Sequence, residues 1–142
     1  DIHRAQNNSL GLIKYGDIIP AGGWGVSFDR NLNKSQYIVF ADLDEPGTAR
    51  YRYLDDGEYD IDAGGRIVDL PPLIEISEIR FGGPTTTQLD AANVTFLPPD
   101  PQTNIFSSGA TSTVLEIDLY ELKSNTIKTV RVNFLGLVEV IN

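Results

Sequence analysis

The N-terminal residues carry apolar and small side chains at helical spacing. One stripe of a 3.6-residue period consists of Ile2, Ala5, Ser9, Leu12 and Ile13. Gly16 ends the pattern in the manner of a helix C-terminal cap. A helix this short is marginal in water by itself, so it needs a surface to pack on. We therefore expect residues 2–15 to form a helix that packs on a sheet through Ile2, Leu12 and Ile13.

From Trp24 onwards the apolar period changes to two, the period of a strand with one buried face. Trp24–Asp29 and Gln36–Asp42 are predicted to form a hairpin, because the polar residues 30–35 between them favour a turn. Further strands are predicted at Arg66–Leu70, Leu73–Phe81, Asn93–Leu97, Val114–Leu122, Thr126–Asn133 and Leu137–Ile141. Short turns join the last three of these strands into a meander. Residues 96–101 and 107–113 are rich in proline or in glycine, serine and threonine, so they are predicted to be surface loops.

This order of elements predicts the fold class. The chain has 142 residues, which suits one domain with a hydrophobic core. The domain would comprise the end of an N-terminal helix at residues 1–15 and a β-rich part at residues 24–142. The sequence therefore predicts an α+β fold in which an amphipathic helix packs on antiparallel sheet.

Composition excludes several classes of function. The chain has no cysteine, which excludes disulfides, thiolate chemistry and cysteine-ligated metals. Its single histidine, His3, excludes multi-histidine metal sites, and no recognisable nucleophile–base pair is present, so we expect no enzymatic activity. The net charge of −9 and the scattered lysines and arginines argue against binding to nucleic acid.

Negative charge is concentrated in one segment, Asp42–Asp62. It holds eight acidic residues against Arg50 and Arg52, so it carries six of the nine net negative charges. Acidic residues alternate from Asp42 to Asp44, and glycine interrupts a second acidic group at residues 55–58. Such oxygen ligands suit Ca²⁺, although the spacing is not that of an EF-hand. The alternative is a solvated acidic loop whose two arginines pair with its own carboxylates.

Several motifs together resemble a known family, the type IV pilin-like proteins, in particular minor pilins and the pseudopilins of type II secretion. The motifs are Ala5–Leu10, Gly22–Phe28, Tyr37–Asp42 with Asp44, Asp56–Glu58 and Val130–Val140. The resemblance covers nearly the whole chain. The family's processing site, the apolar half of its helix and its acidic residue near the mature N-terminus are not among these 142 residues.

The resemblance implies a structural subunit of an extracytoplasmic filament, either a type IV pilus-like filament or a secretion pseudopilus. Its partners would be other pilin-like subunits, and its full-length precursor would be anchored in the inner membrane before assembly. Some pseudopilins bind calcium in a loop between strands. In this chain the corresponding ligands would be Asp42, Asp44 and Glu58, with Asp55 or Asp56 as optional additions.

Two other functions remain open at the level of the sequence. A free-standing extracellular β-rich binding module, with calcium-dependent carbohydrate binding, would also fit the composition. The lone Trp24 is either a sugar platform or a core or helix-packing residue. A glycosidase acting through paired carboxylates is the third possibility, but the sequence shows no aromatic-lined cleft.

Overall fold

A computed structural model describes residues 2–44, 54–55, 57–59, 64–82, 86–97 and 102–142 of the chain. In chain order the elements are α1 (Ile2–Leu10), β1 (Gly23–Asp29), β2 (Gln36–Asp42), β3 (Arg66–Asp69), β4 (Ile74–Phe81), β5 (Thr87–Leu89), β6 (Ala91–Leu97), β7 (Gln102–Ser107), β8 (Ala110–Ser112), β9 (Val114–Glu121), β10 (Thr126–Asn133) and β11 (Val138–Ile141).

The strands form two antiparallel sheets that face each other across the hydrophobic core. The first sheet has the order β3-β2-β1-β6-β7-β8, and the second has the order β11-β10-β9-β4-β5. All strand pairs are antiparallel. The architecture is therefore a β-sandwich with a short helix at its N-terminus.

The core follows from the alternation of side chains along the strands. In β1 the side chains of Trp24, Val26 and Phe28 belong to the core cluster, and in β9 those of Leu115 and Ile117 do so. Each of these positions is separated from the next by one residue, as a strand with one buried face requires. The two inner faces thus supply a continuous apolar layer between the sheets.

The predicted fold class is wrong. Among the described residues 56% lie in strands and 8% in the helix, and the strands divide into two facing sheets. The α+β arrangement of a pilin, in which an amphipathic helix packs on sheet, is therefore not the fold of this chain. The physical reason is that the two sheets bury each other's apolar faces, so the helix is not the element that covers the sheet.

The helix also differs from its prediction, because it ends at Leu10 and not at residue 15. Leu12 has a positive φ of 51°, which breaks the helical conformation. Leu12 and Ile13, predicted to pack on the sheet, are about half exposed, whereas Ala5 and Ser9 are buried against the first sheet. Within the described part of the chain, no helix has the length and apolar character needed to cross a membrane.

The strand predictions are largely confirmed. β1 and β2 form the predicted hairpin, and β9, β10 and β11 form the predicted meander. Three strands were not predicted, namely β5, β7 and β8, and β8 lies inside the stretch 107–113 that was expected to be a loop. The proline-rich residues 98–101 lie outside the described residues.

The outer face of the second sheet carries a network of ion pairs. Arg80 of β4 donates to Glu116 at 2.8 Å and to Asp118 at 2.7 Å, both on β9. Arg131 of β10 donates to the other oxygen of Glu116 at 2.6 Å. Burial by itself would raise the pKa of Glu116, but the hydrogen bonds from Arg131 and Arg80 lower it below its ordinary value. Likewise, burial would raise the pKa of Asp118, but hydrogen bonds from Arg80 and Thr129 lower it.

The core packing predicts a contrast between two identical substitutions. Ile117 is 1% exposed on the inner face of β9, whereas Ile127 of β10 is 54% exposed. Ile117→Ala should reduce the free energy of unfolding by about 2–5 kcal/mol through lost burial and the cavity it leaves. Ile127→Ala should change it by less than about 1 kcal/mol. Urea denaturation measures both values, and equal losses would contradict the sandwich arrangement.

The ion-pair network predicts a pH dependence of stability. The folded-state pKa values of Glu116 and Asp118 are lowered. The contribution of these two carboxylates to the free energy of unfolding is therefore present above the ordinary carboxyl pKa, and it disappears as the pH falls through the folded-state values. Arg80→Met leaves both carboxylates without this donor and should cost about 3 kcal/mol at pH 7.

Denaturant titrations at pH 7 and pH 3 check this prediction. The difference in free energy of unfolding between the wild type and Arg80→Met should be smaller at pH 3, because protonated carboxyls carry no charge for the guanidinium to compensate. Arg4→Met is the control, because it removes the same charge at a position exposed to solvent. A difference that stays constant between the two pH values would refute an electrostatic origin.

Candidate metal centre

Asp42, the last residue of β2, has its carboxylate on the outer face of the first sheet. Val39 and Ala41 belong to the core, so Asp42 has its side chain on the opposite face, and it is fully buried. Gly22 lies directly against it: the Gly22 N–H donates to the Asp42 carbonyl oxygen at 2.8 Å. A Cβ atom at Gly22 would lie 2.2 Å from the Asp42 carboxyl carbon, so only glycine leaves room for this side chain.

The chain turns immediately after β2 and brings a second carboxylate beside the first. The Asp44 N–H donates to Asp42 Oδ1 at 3.2 Å, which is the local turn that aspartate side chains favour. The sequence Asp-Leu-Asp therefore folds so that the carboxylates of Asp42 and Asp44 lie close together.

A separate tight turn supplies the third carboxylate. The Glu58 N–H donates to the carbonyl oxygen of Asp55 at 3.1 Å, and Gly57 takes the positive φ of 90° that this turn uses. Glu58 Oε2 accepts a hydrogen bond from the Asp55 N–H. The Ala41 N–H donates to the Glu58 carbonyl oxygen at 3.3 Å, which holds the turn alongside the end of β2.

Together these elements form a cluster of three carboxylates, those of Asp42, Asp44 and Glu58. One oxygen from each lies within 4.8 Å of the others. Glu58 is 3% exposed, and its Oε1 atom is buried without a hydrogen-bond partner among the described residues. A buried oxygen that accepts no hydrogen bond is energetically costly.

The electrostatics of the cluster differ from those of the ion-pair network on the second sheet. Burial, together with the neighbouring negative charge of Asp42, raises the pKa of Glu58 to about 8. The hydrogen bond from the Asp55 N–H acts in the opposite direction but does not offset them. Glu116, by contrast, has its pKa lowered by two arginines. Glu58 is thus an acid that is costly to ionise unless a positive charge joins it.

The arrangement fits the coordination chemistry of calcium. Two oxygens bound to one Ca²⁺ at about 2.3–2.6 Å lie at most about 5 Å apart, which accommodates the observed cluster. Ca²⁺ takes 6–8 oxygens, so carbonyl groups or waters would complete the three carboxylates. Mg²⁺ demands a tighter octahedral site at about 2.0–2.1 Å and keeps several of its waters.

The three predicted ligands are therefore brought together, although metal binding itself stays a prediction. Asp55 takes part through its backbone in the turn that presents Glu58. The optional ligand Asp56 and the two arginines of the alternative interpretation, Arg50 and Arg52, lie outside the described residues.

Sequence reasoning missed Gly22 as part of the site. The pair Gly22-Gly23 directly before a strand is a signal of close backbone approach, because glycine permits distances that a Cβ atom would prevent. The sequence allows two roles for Trp24, a sugar platform or a core or helix-packing residue. It is 2% exposed and its indole N–H donates to the Ile13 carbonyl oxygen at 2.8 Å, so the core assignment is confirmed.

Comparisons with protein families, with curated proteins and with solved structures give no match to this chain.

Proposed function

We propose that this chain is a non-catalytic, calcium-binding β-sandwich domain that serves as a structural subunit of an extracytoplasmic filament. The calcium part rests on one observation, the buried Glu58 Oε1 atom that lacks a hydrogen-bond partner among the described residues and lies within the three-carboxylate cluster. A divalent cation would offset two of the three negative charges of the ionised cluster and replace the proton that Glu58 otherwise holds at neutral pH.

Calcium binding should appear as a gain in stability. A cation that binds only the folded state adds RT ln(1 + [L]/Kd), about 2.7 kcal/mol at a hundredfold excess over Kd. We expect the melting temperature to rise in millimolar CaCl₂ relative to EDTA at matched ionic strength, and to rise less in MgCl₂. Coincident melting curves would contradict calcium binding and leave a simple acidic surface.

The substitution Glu58→Gln sharpens this test. The neutral amide keeps the shape of the protonated carboxyl, so the variant should be at least as stable as the wild type in EDTA. It should lose most of the gain in CaCl₂, because an amide oxygen replaces a charged ligand. Glu121→Gln, at an exposed position on β9, removes the same charge and should keep the full gain. A loss of the calcium gain in both variants would show a non-specific charge effect.

The filament part of the proposal is supported by the sequence motifs and by the surface around α1. Large apolar side chains are exposed at the C-terminal end of the helix, in the segment after it, and around the turn between β10 and β11. They are Leu10, Leu12, Ile13, Ile18 and Ile19 on one side and Phe134, Leu135 and Leu137 on the other. Gln6 of α1 donates to the Gly136 carbonyl oxygen at 3.4 Å, so this turn borders the helix. Exposed apolar surface of this kind is typical of contacts between subunits.

A free-standing carbohydrate-binding module is less well supported. Aromatic platforms for sugars must be exposed, and the only tryptophan is buried. The fold departs from the arrangement implied by the resemblance, so the assignment to a filament depends on the motifs and the apolar surface and not on sheet topology.

The coding sequence upstream of residue 1 tests the filament proposal. A cleavable leader followed by about 20 apolar residues is expected, since such a segment would anchor the precursor and form the filament core. An ordinary signal peptide joined directly to this domain would contradict it.

In cells that express the full-length protein, Leu135→Arg should prevent its incorporation into filaments, because it places a charge on the apolar surface beside the helix. Leu135 is 68% exposed, so the isolated domain should keep its melting temperature. Leu122→Arg, on an exposed residue after β9, is the matched control and should assemble. Normal incorporation of Leu135→Arg would show that this apolar surface does not contact other subunits.

A further inference from the structure

The carboxylate cluster and the helix are attached to the same short stretch of backbone, Gly22–Trp24. On one side, the Gly22 N–H donates to the Asp42 carbonyl oxygen at 2.8 Å, and Gly23 pairs with Asp42 in the register of β1 and β2. On the other side, the Trp24 N–H donates to the hydroxyl oxygen of Ser9 on α1 at 2.7 Å. Only Gly23 therefore lies between Gly22, which anchors the cluster, and Trp24, which anchors the helix.

Packing leaves little freedom in this stretch. A Cβ atom at Gly22 would lie 2.4 Å from Asp42 Oδ2, so the carboxylate rests on the Gly22 backbone. A Cβ atom at Gly23 would lie 1.9 Å from the Phe96 carbonyl oxygen and 3.1 Å from the Ser9 hydroxyl oxygen. Displacement of the Asp42 carboxylate must therefore be accommodated by backbone that also contacts the helix.

Trp24 extends the connection to the segment after the helix. Its indole N–H donates to the Ile13 carbonyl oxygen at 2.8 Å, and its ring packs edge-on against Tyr15 at a centroid distance of 6.0 Å. A Cβ atom at Gly64, just beyond the acidic segment, would lie 3.2 Å from the same indole ring. Trp24 thus contacts both the residues that follow α1 and the chain that leaves the acidic segment.

We propose that cation binding at Asp42, Asp44 and Glu58 fixes the Gly22–Trp24 backbone and thereby tightens the docking of α1 onto the sandwich. The inference rests on the calcium site proposed above. Because coupling between two sites is reciprocal, a docked helix must in turn raise the affinity for the cation. Calcium would then regulate how firmly the apolar surface around α1 is held in position for contact with other subunits.

Hydrogen exchange of the wild-type domain tests the first half of the coupling. In CaCl₂, amides of residues 2–13 should exchange at least about fivefold more slowly than in EDTA, the lower end of typical coupling. Amides of β10, in the second sheet, should slow distinctly less. Equal slowing in both regions would indicate only a global gain in stability and would overturn the coupling.

Calcium affinity of a helix variant tests the reciprocal half. Ser9→Ala removes the hydroxyl that accepts from Trp24 without touching a carboxylate, and it should raise the calcium Kd about fivefold or more in titration calorimetry. Ser77→Ala is the matched control, because the Ser77 hydroxyl donates to the Asp118 carbonyl oxygen on the second sheet, and it should leave the Kd unchanged.

The outcomes separate this inference from the proposed function. Calcium binding by the wild type with an unchanged Kd in Ser9→Ala, or with equal changes in both serine variants, would refute the coupling and leave the calcium site intact. Absence of binding to the wild type would refute the calcium site and the coupling together. If Ser9→Ala does not fold, the exchange measurement on the wild type still decides the question.

Discussion

The burial of carboxylates at the end of β2 is the constraint on which this end of the molecule depends. Asp42 is fully buried and Glu58 nearly so, and each ionised carboxylate removed from water costs several kcal/mol unless a compensating charge is present. A proton on Glu58 relieves part of the repulsion, and a divalent cation would relieve more. The fold tolerates this arrangement because Gly22 leaves space for Asp42 and because a glycine turn presents Glu58.

The carboxylates on the two sheets are compensated differently. On the second sheet the arginines Arg80 and Arg131 neutralise Glu116 and Asp118 within the protein, so the network needs no external ion. On the first sheet the pKa of Glu58 is raised, which marks a site that gains from an external positive charge. Under the proposed function, a bound cation would act on the first sheet, to which α1 is attached, and not on the ion pairs of the second sheet.

Sequence patterns predicted the strands and hairpins that depend on neighbouring residues. They did not predict the strand pairs that join distant parts of the chain. The β1–β2 hairpin and the β9–β11 meander follow from alternation and short turns, whereas the pairing of β4 with β9 joins residues about 40 positions apart and leaves no local signal. The apolar stripe continues past Leu10, but the positive φ of Leu12 ends the helix. At the site, spacing indicated Asp42 and Asp44, whereas the contact with Gly22 depends on the packing of two strands.

Anomalous diffraction from crystals of the domain grown with millimolar CaCl₂ shows whether one calcium ion binds between Asp42, Asp44 and Glu58. We expect a single strong peak within about 2.3–2.6 Å of a carboxylate oxygen from each of the three residues. A map without a peak at this cluster, or with calcium bound only elsewhere on the surface, would refute the proposed calcium site.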